Sequence, residues 1–418
     1  MFYSKSEGKK SGRSARLLKL VAFMGPALIV SVAYQDPGNF ASDIDSGALT
    51  GYTLLWVVWL AGLMAMVLQY LSGKLGIATG KSLPELVRSS LGKPYLVLPY
   101  WVGAEAASAA VDLAEFLGTV IALHLIFGMV YLEASLIGVF DVFLLIYLQR
   151  WGFRRVEQAF FLFVGMIGIG YVYELLIVKP DMGTVVTNSF VPSLNAQLAV
   201  FAVSIIGATV MPHVLFLHSD LTRKKLKTGT LEEKRELLRY HRIDTIVFLT
   251  AASIVNACIL IMAAAAFHAR NLTFATTIDV AYHTLRPLFG NAAAYVFVAT
   301  LLASGLSSST TGTIAGQSIM EGMLGRKVNP WLRRIVTRVI NVFPTTVAIL
   351  IGLNPFFVLF YSQVVLSIMI PLPMIPLIYY SSRKKFMGDF VNRKLITVTA
   401  VVFASVILGF NIFYLLTT

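Results

Sequence analysis

Eleven segments of this 418-residue chain are apolar enough to cross a membrane, and two of them carry a mid-span proline surrounded by groups that can hold a cation. One reads VAYQDPGNFASD, with Asp36-Pro37-Gly38-Asn39 at its middle; the other reads GATVMPHVLFLHS, with Met211-Pro212-His213. An internal proline removes a helix hydrogen bond and clashes with the preceding turn. In hydrocarbon the freed backbone groups meet no water, so such a break is tolerated only where protein or a water-filled cavity covers it. A carboxylate at that depth costs about 2.5–3.5 kcal/mol or more, which marks Asp36 as functional by expectation. Two interrupted spans with cation-binding groups predict an ion site of the secondary-transporter kind.

The candidate spans are 20–50 (broken at 36–39), 52–72, 96–121, 131–149, 156–178, 195–219 (broken near 211–212), 243–267, 291–319, 335–353, 355–379 and 395–416. With 57% hydrophobic and 13% charged residues, the expectation is one membrane transport domain over 1–418 and no soluble domain. Residues 1–19 are basic and polar and read as a cytoplasmic N-terminus rather than a cleavable signal. Cys258 is the single cysteine, which excludes a disulfide framework and a cysteine metal cluster. The net charge of +13 raises nucleic acid as a partner, but its distribution argues for topology. With the N-terminus inside, 31 of the 34 Lys and Arg fall in inside segments, leaving Lys179, Arg270 and Arg286 outside. This asymmetry predicts a cytoplasmic N-terminus, an extracytoplasmic C-terminus and the lipid bilayer, not nucleic acid, as the partner.

The two breaks lie in the first and sixth spans, an offset of five, so the second unit enters the membrane upside down relative to the first. The expected fold is an all-α polytopic membrane protein with a 5+5 inverted repeat: 20–178 as the first repeat, 195–379 as the second, and 395–416 as an eleventh, extra span. The residue types at the breaks suggest the cargo. Asp36 and Asn39 are three apart, as are Ala208 and Met211, a spacing that brings groups to one helix face. Carboxylate, carboxamide, thioether and freed carbonyls make a mixed hard and soft set. Mg²⁺ and Ca²⁺ prefer oxygen alone, whereas a thioether suits softer transition metals. Against this, a lone methionine is usually a core filler, and Asp36 has the alternative of a structural hydrogen bond.

DPGN in the first span and ATVMPH in the sixth resemble the signatures of the Nramp (natural resistance-associated macrophage protein) family of divalent metal transporters. AEAASAAVDLAEFLG (104–118), GQSIMEG (316–322) and YSQVVLS (361–367) are similar to further family segments, so the resemblance covers nearly the whole chain. It implies a LeuT-type fold and proton-coupled import of Mn²⁺ or Fe²⁺, with Cd²⁺ and Co²⁺ also carried. It implies Asp36, Asn39, Met211 and the Ala208 carbonyl as metal ligands, joined in particular conformations by the Ala33 carbonyl and Gln363. Gln35 departs from the apolar residue the resemblance leads one to expect before the aspartate. The metal and the proton are substrate and coupling ion; no resident cofactor is expected.

Protons need titratable groups. Glu105, Asp112 and Glu115 lie at spacings of seven and three, within a helix sector roughly 80° wide. They read as a water-filled path or as partners for Arg333 and Arg334; the resemblance favours Asp112 and an arginine as the proton route, with Asp36 at its head. His213 follows the second break and titrates near neutrality when unperturbed; a structural role is the alternative. His218 reads as polar packing. Asp43 and Asp45 sit on the outer half of the first span, as attractors of cations or as caps. Function is therefore expected to be metal import at the plasma membrane by a monomer. The alternatives are a same-fold carrier of Mg²⁺ or an amino acid, and a passive channel. An intramembrane hydrolase lacks its motif: no HExxH occurs and no glutamate lies within four residues of a histidine.

Overall fold

The computed structural model describes residues 25–140, 153–272 and 277–417. The start of the first candidate span, the C-terminal part of the fourth (141–149) and the N-terminal 1–19 lie outside the described residues. Every described element is helical. The first span is two helices, α1 (Pro26–Ala33) and α2 (Pro37–Thr50). They are followed by α3 (Leu55–Thr79), the short α4 (Leu83–Leu91), α5 (Pro94–Phe127), α6 (Tyr131–Gly138) and α7 (Phe153–Val178). After a short α8 (Met182–Phe190), the sixth span is again two helices, α9 (Ala196–Val210) and α10 (Pro212–Arg223). Then come α11 (Leu231–Ala266), α12 (Ile278–Phe289), α13 (Asn291–Leu324) and α14 (Pro330–Leu350). The chain closes with α15 (Pro355–Met369), α16 (Pro371–Ser381), α17 (Lys384–Met387) and α18 (Lys394–Thr417).

Both predicted breaks are present. The tenth span, read as continuous over 355–379, carries a proline step at Ile370–Pro371 between α15 and α16, where the backbone stays right-handed and the Ile370 N–H still donates to the Leu366 carbonyl (3.0 Å). Its proline stands at the first helical position of α16, where its missing N–H costs least. Eight helices or helix pairs meet the length and hydropathy of a membrane span among the described residues. The other three candidates fail that measure for local reasons. The first is cut into short pieces, the fourth runs out of the described residues, and the ninth carries Arg333, Arg334 and Arg338. The loops also hold helices the apolar windows do not reveal, since α4, α8 and α12 are short.

The broken helices form the centre. α1, α2, α9 and α10 are almost wholly buried, walled by α3, α5, α11, α13 and α15. Lipid supplies no hydrophobic drive between helices, so close approach depends on small residues. Gly207 of α9 lies against the backbone of α15: a Cβ there would stand 1.9 Å from the Gln363 carbonyl. Gly118 of α5 receives Pro37 in the same way, at 2.1 Å. The eleventh span is tied to the tenth just before its proline step. Ser367 Oγ donates to Asn411 Oδ1 (2.7 Å), and Asn411 Nδ2 donates to the Ser367 carbonyl (2.9 Å).

Gly207→Val should therefore prevent α9 from seating on α15 and lower the melting temperature by several degrees, as overpacking of about 1–3 kcal/mol does. Gly165→Ala on α7, where nothing lies within 4 Å of the new methyl, should leave it unchanged. Equal melting curves for the two variants in detergent would show that the α9–α15 approach tolerates a side chain.

Candidate ion site

The two breaks face each other and are joined by one carboxamide. Asp36 is the N-cap of α2, extended at φ −80° and ψ 164°, and Pro37 follows at the first helical position. One carboxylate oxygen, Oδ1, accepts from the Asn39 backbone N–H (2.9 Å) and from Asn39 Nδ2 (2.7 Å). Asn39 Nδ2 also reaches the Ala208 carbonyl on α9 at 3.0 Å. Asn39 Oδ1 in turn accepts from Asn256 Nδ2 of α11 (3.0 Å) and Thr209 Oγ1 (3.4 Å). The second oxygen of Asp36, Oδ2, is buried with no hydrogen-bond partner. A carboxylate cap is thus half satisfied, with one oxygen left without a partner.

Met211 sits between α9 and α10 with φ at 43°, a left-handed value that a side chain bearing Cβ adopts only under compulsion. Strain of this kind costs of order 1–3 kcal/mol and persists where the surroundings over-determine it. Here Pro212 forces the backbone out of the helix, and Met211 is fully buried. The three-residue spacing of Ala208 and Met211 therefore does not act as a helix face: Ala208 lies inside α9 and Met211 is placed by the break itself. Ala33 closes α1, so carbonyl ends of α1 and α9 both point their negative poles at the gap. Gln363 of α15 reaches it from the side. A Cβ on Gly38 would fall 2.3 Å from the Gln363 amide, so the glycine makes the room. Gln363 Nε2 donates to Ser362 Oγ (2.9 Å), and its Oε1 is buried without a partner.

The structure brings together Asp36, Asn39 and Ala208 by hydrogen bonds, with Gln363 at Gly38 and Met211 at the second break. Gln35 holds its backbone by accepting from Ser304 Oγ of α13, while both heteroatoms of its buried side-chain amide lack partners. His213 is fully buried at the start of α10, and neither ring nitrogen has a partner. His218 is part of a polar chain: its Nδ1 pairs with Gln69 Oε1 (3.0 Å), and Gln69 Nε2 donates to Tyr34 OH (2.9 Å).

The three carboxylates of α5 divide into two groups. Glu105 Oε2 accepts from Arg333 Nη2 at 3.0 Å, with Arg333 buried. Asp112 and Glu115 lie together over Gly312 of α13, where a Cβ would be 2.9 Å from Asp112 Oδ1 and 2.6 Å from Glu115 Oε2. Arg334 lies on α14, its side chain outside the described residues. Sequence reasoning missed Arg338, buried between Ser309 Oγ (3.0 Å) and the Phe116 ring. It also missed Asn256 and Thr209, which hold Asn39. A lone Asn or Thr in an apolar span carries no signal until its partner is known.

Paired interruptions around a buried carboxylate define a membrane carrier of the interrupted-helix class. A family model described as natural resistance-associated macrophage protein-like matches residues 27–417. The chain belongs to the Nramp family. It is 45% identical over 394 residues to the divalent metal cation transporter MntH of Deinococcus radiodurans, covering 94% of this chain and 89% of that protein. To the same-named protein of Verminephrobacter eiseniae it is 43% identical, covering 99% and 92%. Among solved structures, the Eremococcus coleocola manganese transporter superposes with a TM-score of 0.86 at 31% identity, over 98% of this chain and 88% of that one. Mhp1, a nucleobase-cation-symport-1 family transporter, matches at a TM-score of 0.56 and 13% identity, over 94% and 89%. The fold is thus the LeuT-type 5+5 inverted repeat with an eleventh span, and the family is one of transporters, not enzymes.

The Glu105–Arg333 pair has its own test. Arg333→Met strands a carboxylate and should destabilise markedly, since removing one partner of a buried pair costs about 3–5 kcal/mol, less here because Glu105 is partly exposed. Adding Glu105→Gln should restore part of the loss. A thermal double-mutant cycle without coupling would dissolve the pair.

Proposed function

We propose that the chain is a proton-coupled secondary transporter importing divalent transition-metal ions, Mn²⁺ and Fe²⁺ first and Cd²⁺ and Co²⁺ with them. It works as a monomer in the plasma membrane with its N-terminus cytoplasmic and its C-terminus outside. The observation that carries this reading is the unpaired Asp36 Oδ2 where two broken helices are joined through Asn39 to the Ala208 carbonyl, with Met211 at the second break. The printed function of the relatives supports the cargo class, and the charge asymmetry of the loops supports the orientation.

In this reading the cation binds Asp36 and displaces the Asn39 amide from it. Asn39 and Asn256 then rotate together: Asn39 Oδ1 turns to the metal, and its Nδ2 is taken up by Asn256 Oδ1, which otherwise has no partner. The Ala208 carbonyl, released from Asn39, becomes a ligand. Met211 supplies a soft sulfur that hard ions do not reward, while the Ala33 carbonyl and Gln363 join as the helices shift. A carboxylate exchanging a proton for a metal ion couples the two fluxes. The proton leaves Asp36 by way of His213 and the α5 carboxylates Glu115, Asp112 and Glu105, beside Arg333 and Arg334.

Asp36→Asn should abolish saturable Mn²⁺ binding in calorimetry while leaving a monodisperse protein; undiminished affinity would remove Asp36 from the site. Met211→Ala should lower Cd²⁺ uptake most and let Ca²⁺ gain, because the remaining shell is all oxygen. The readout is the Cd²⁺ to Ca²⁺ uptake ratio in matched liposomes, and a ratio equal to wild type would make Met211 a packing residue.

A further inference from the structure

The metal site and the α5 carboxylates leave one group of buried acids unused. It lies along α2, on the side the charge asymmetry makes extracytoplasmic. Asn39, Asp43 and Ser46 are spaced four and three apart, so they form one stripe on one helix face. Asp43 stands two helical turns, about 10 Å, beyond Asp36. It is 1% exposed, and neither carboxylate oxygen has a hydrogen-bond partner; the Ser46 hydroxyl also lacks one. On α7, Tyr171 and Glu174 share a face by the same three-residue spacing. Glu174 is 1% exposed, and both its oxygens likewise have no partner. The Tyr171 ring packs edge-on against Phe40 of α2 at 5.4 Å between centroids, and each of these rings stands three residues before one of the acids, so the contact brings the two acidic faces together. Two acids from separate helices, each shut away from water and unpartnered, therefore flank one tyrosine.

The groups around them do not neutralise them. Asp43 feels the charge of Asp36, another carboxylate. Cys258 of α11 acts on Tyr171, and α13 contributes the hydroxyl of Thr300. Asp45 is on the opposite face of α2, and His268 lies against Gly51 at its outer end. No lysine or arginine is among these groups. A hard divalent cation does not suit the place, because it wants six or more oxygens and the two carboxylates offer four. An ionised carboxylate buried without a partner is penalised far more heavily than the neutral acid.

We propose that Asp43 and Glu174 form a proton-binding pair on the outer side of the metal site, loaded from external water before the outer half closes. Each carboxylate takes one proton from hydronium and becomes a carboxylic acid, leaving water behind; no other reactant is needed. The pair is distinct from the α5 carboxylates, which serve the inward branch. This inference rests on the proton-coupled reading above, deepening it by assigning the side of entry.

The test uses the full chain with Asp43→Asn and Glu174→Gln, singly, and Asp181→Asn, an exposed carboxylate capping α8, as a control. Infrared difference spectra between high and low pH should contain buried carboxylic-acid bands, one lost in each pair variant and none in the control. In proteoliposomes, Mn²⁺ uptake should flatten against external pH in both pair variants, with calorimetric Mn²⁺ affinity equal to wild type. Unchanged bands together with an unchanged pH profile would overturn the proposal. So would a loss of Mn²⁺ affinity in either pair variant, which would make the pair a metal site. Two single variants guard against one failing to fold. Wild-type vesicles that take up Mn²⁺ without internal acidification would sink the coupling reading alone; the infrared bands would still decide whether the pair holds protons.

Discussion

The structure depends on one carboxamide. Asn39 touches both interrupted spans, donating to Asp36 on its own and to the Ala208 carbonyl on the other. Without such a bridge, two helix breaks in an apolar medium would each leave backbone groups unpaired, a cost no lipid can relieve. The surrounding helices make that bridge possible by coming close: Gly118 admits Pro37, Gly38 admits Gln363, and Gly207 admits the α15 backbone. The polar centre and the small residues around it are one design. The centre needs a dry, tight wall, and the wall is held tight by what converges inside it.

The same economy explains why the site is poised rather than saturated. Asp36 satisfies a helix cap with one oxygen and keeps the other unpaired; Gln363 and His213 are likewise buried with unspent polar atoms. Each omission carries an energetic penalty, and all of them fall on or beside the interrupted helices. Met211, held at a positive φ, adds strain at the same point.

The sequence made the skeleton legible because its signals are local. A proline in an apolar window marks a break at Pro37 and Pro212, and three carboxylates on one face of a span mark a polar path. The Ile370–Pro371 step escaped because a chain with Pro371, Pro373 and Pro376 near the end of an apolar run reads equally as a helix start. Asn256, Thr209 and Arg338 escaped for a different reason. Each matters through a partner far away in the chain, and a single polar residue in a span does not say which helix it will meet. The pairing of Arg333 with Glu105, leaving Asp112 and Glu115 together at Gly312, is likewise a fact of packing and not of spacing.

The clasp between Ser367 and Asn411 gives the eleventh span a mechanical meaning. Two reciprocal hydrogen bonds fasten α18 to the last turn of α15, one helical turn short of the Ile370–Pro371 step. The span that stands outside the inverted repeat therefore grips the tenth at its fulcrum. The α15 arm, which carries Gln363 and bears on Gly207, is anchored to a post, whereas α16 beyond the proline is a separate lever. A rocking motion of the core would be felt by Gln363 as rotation about that post.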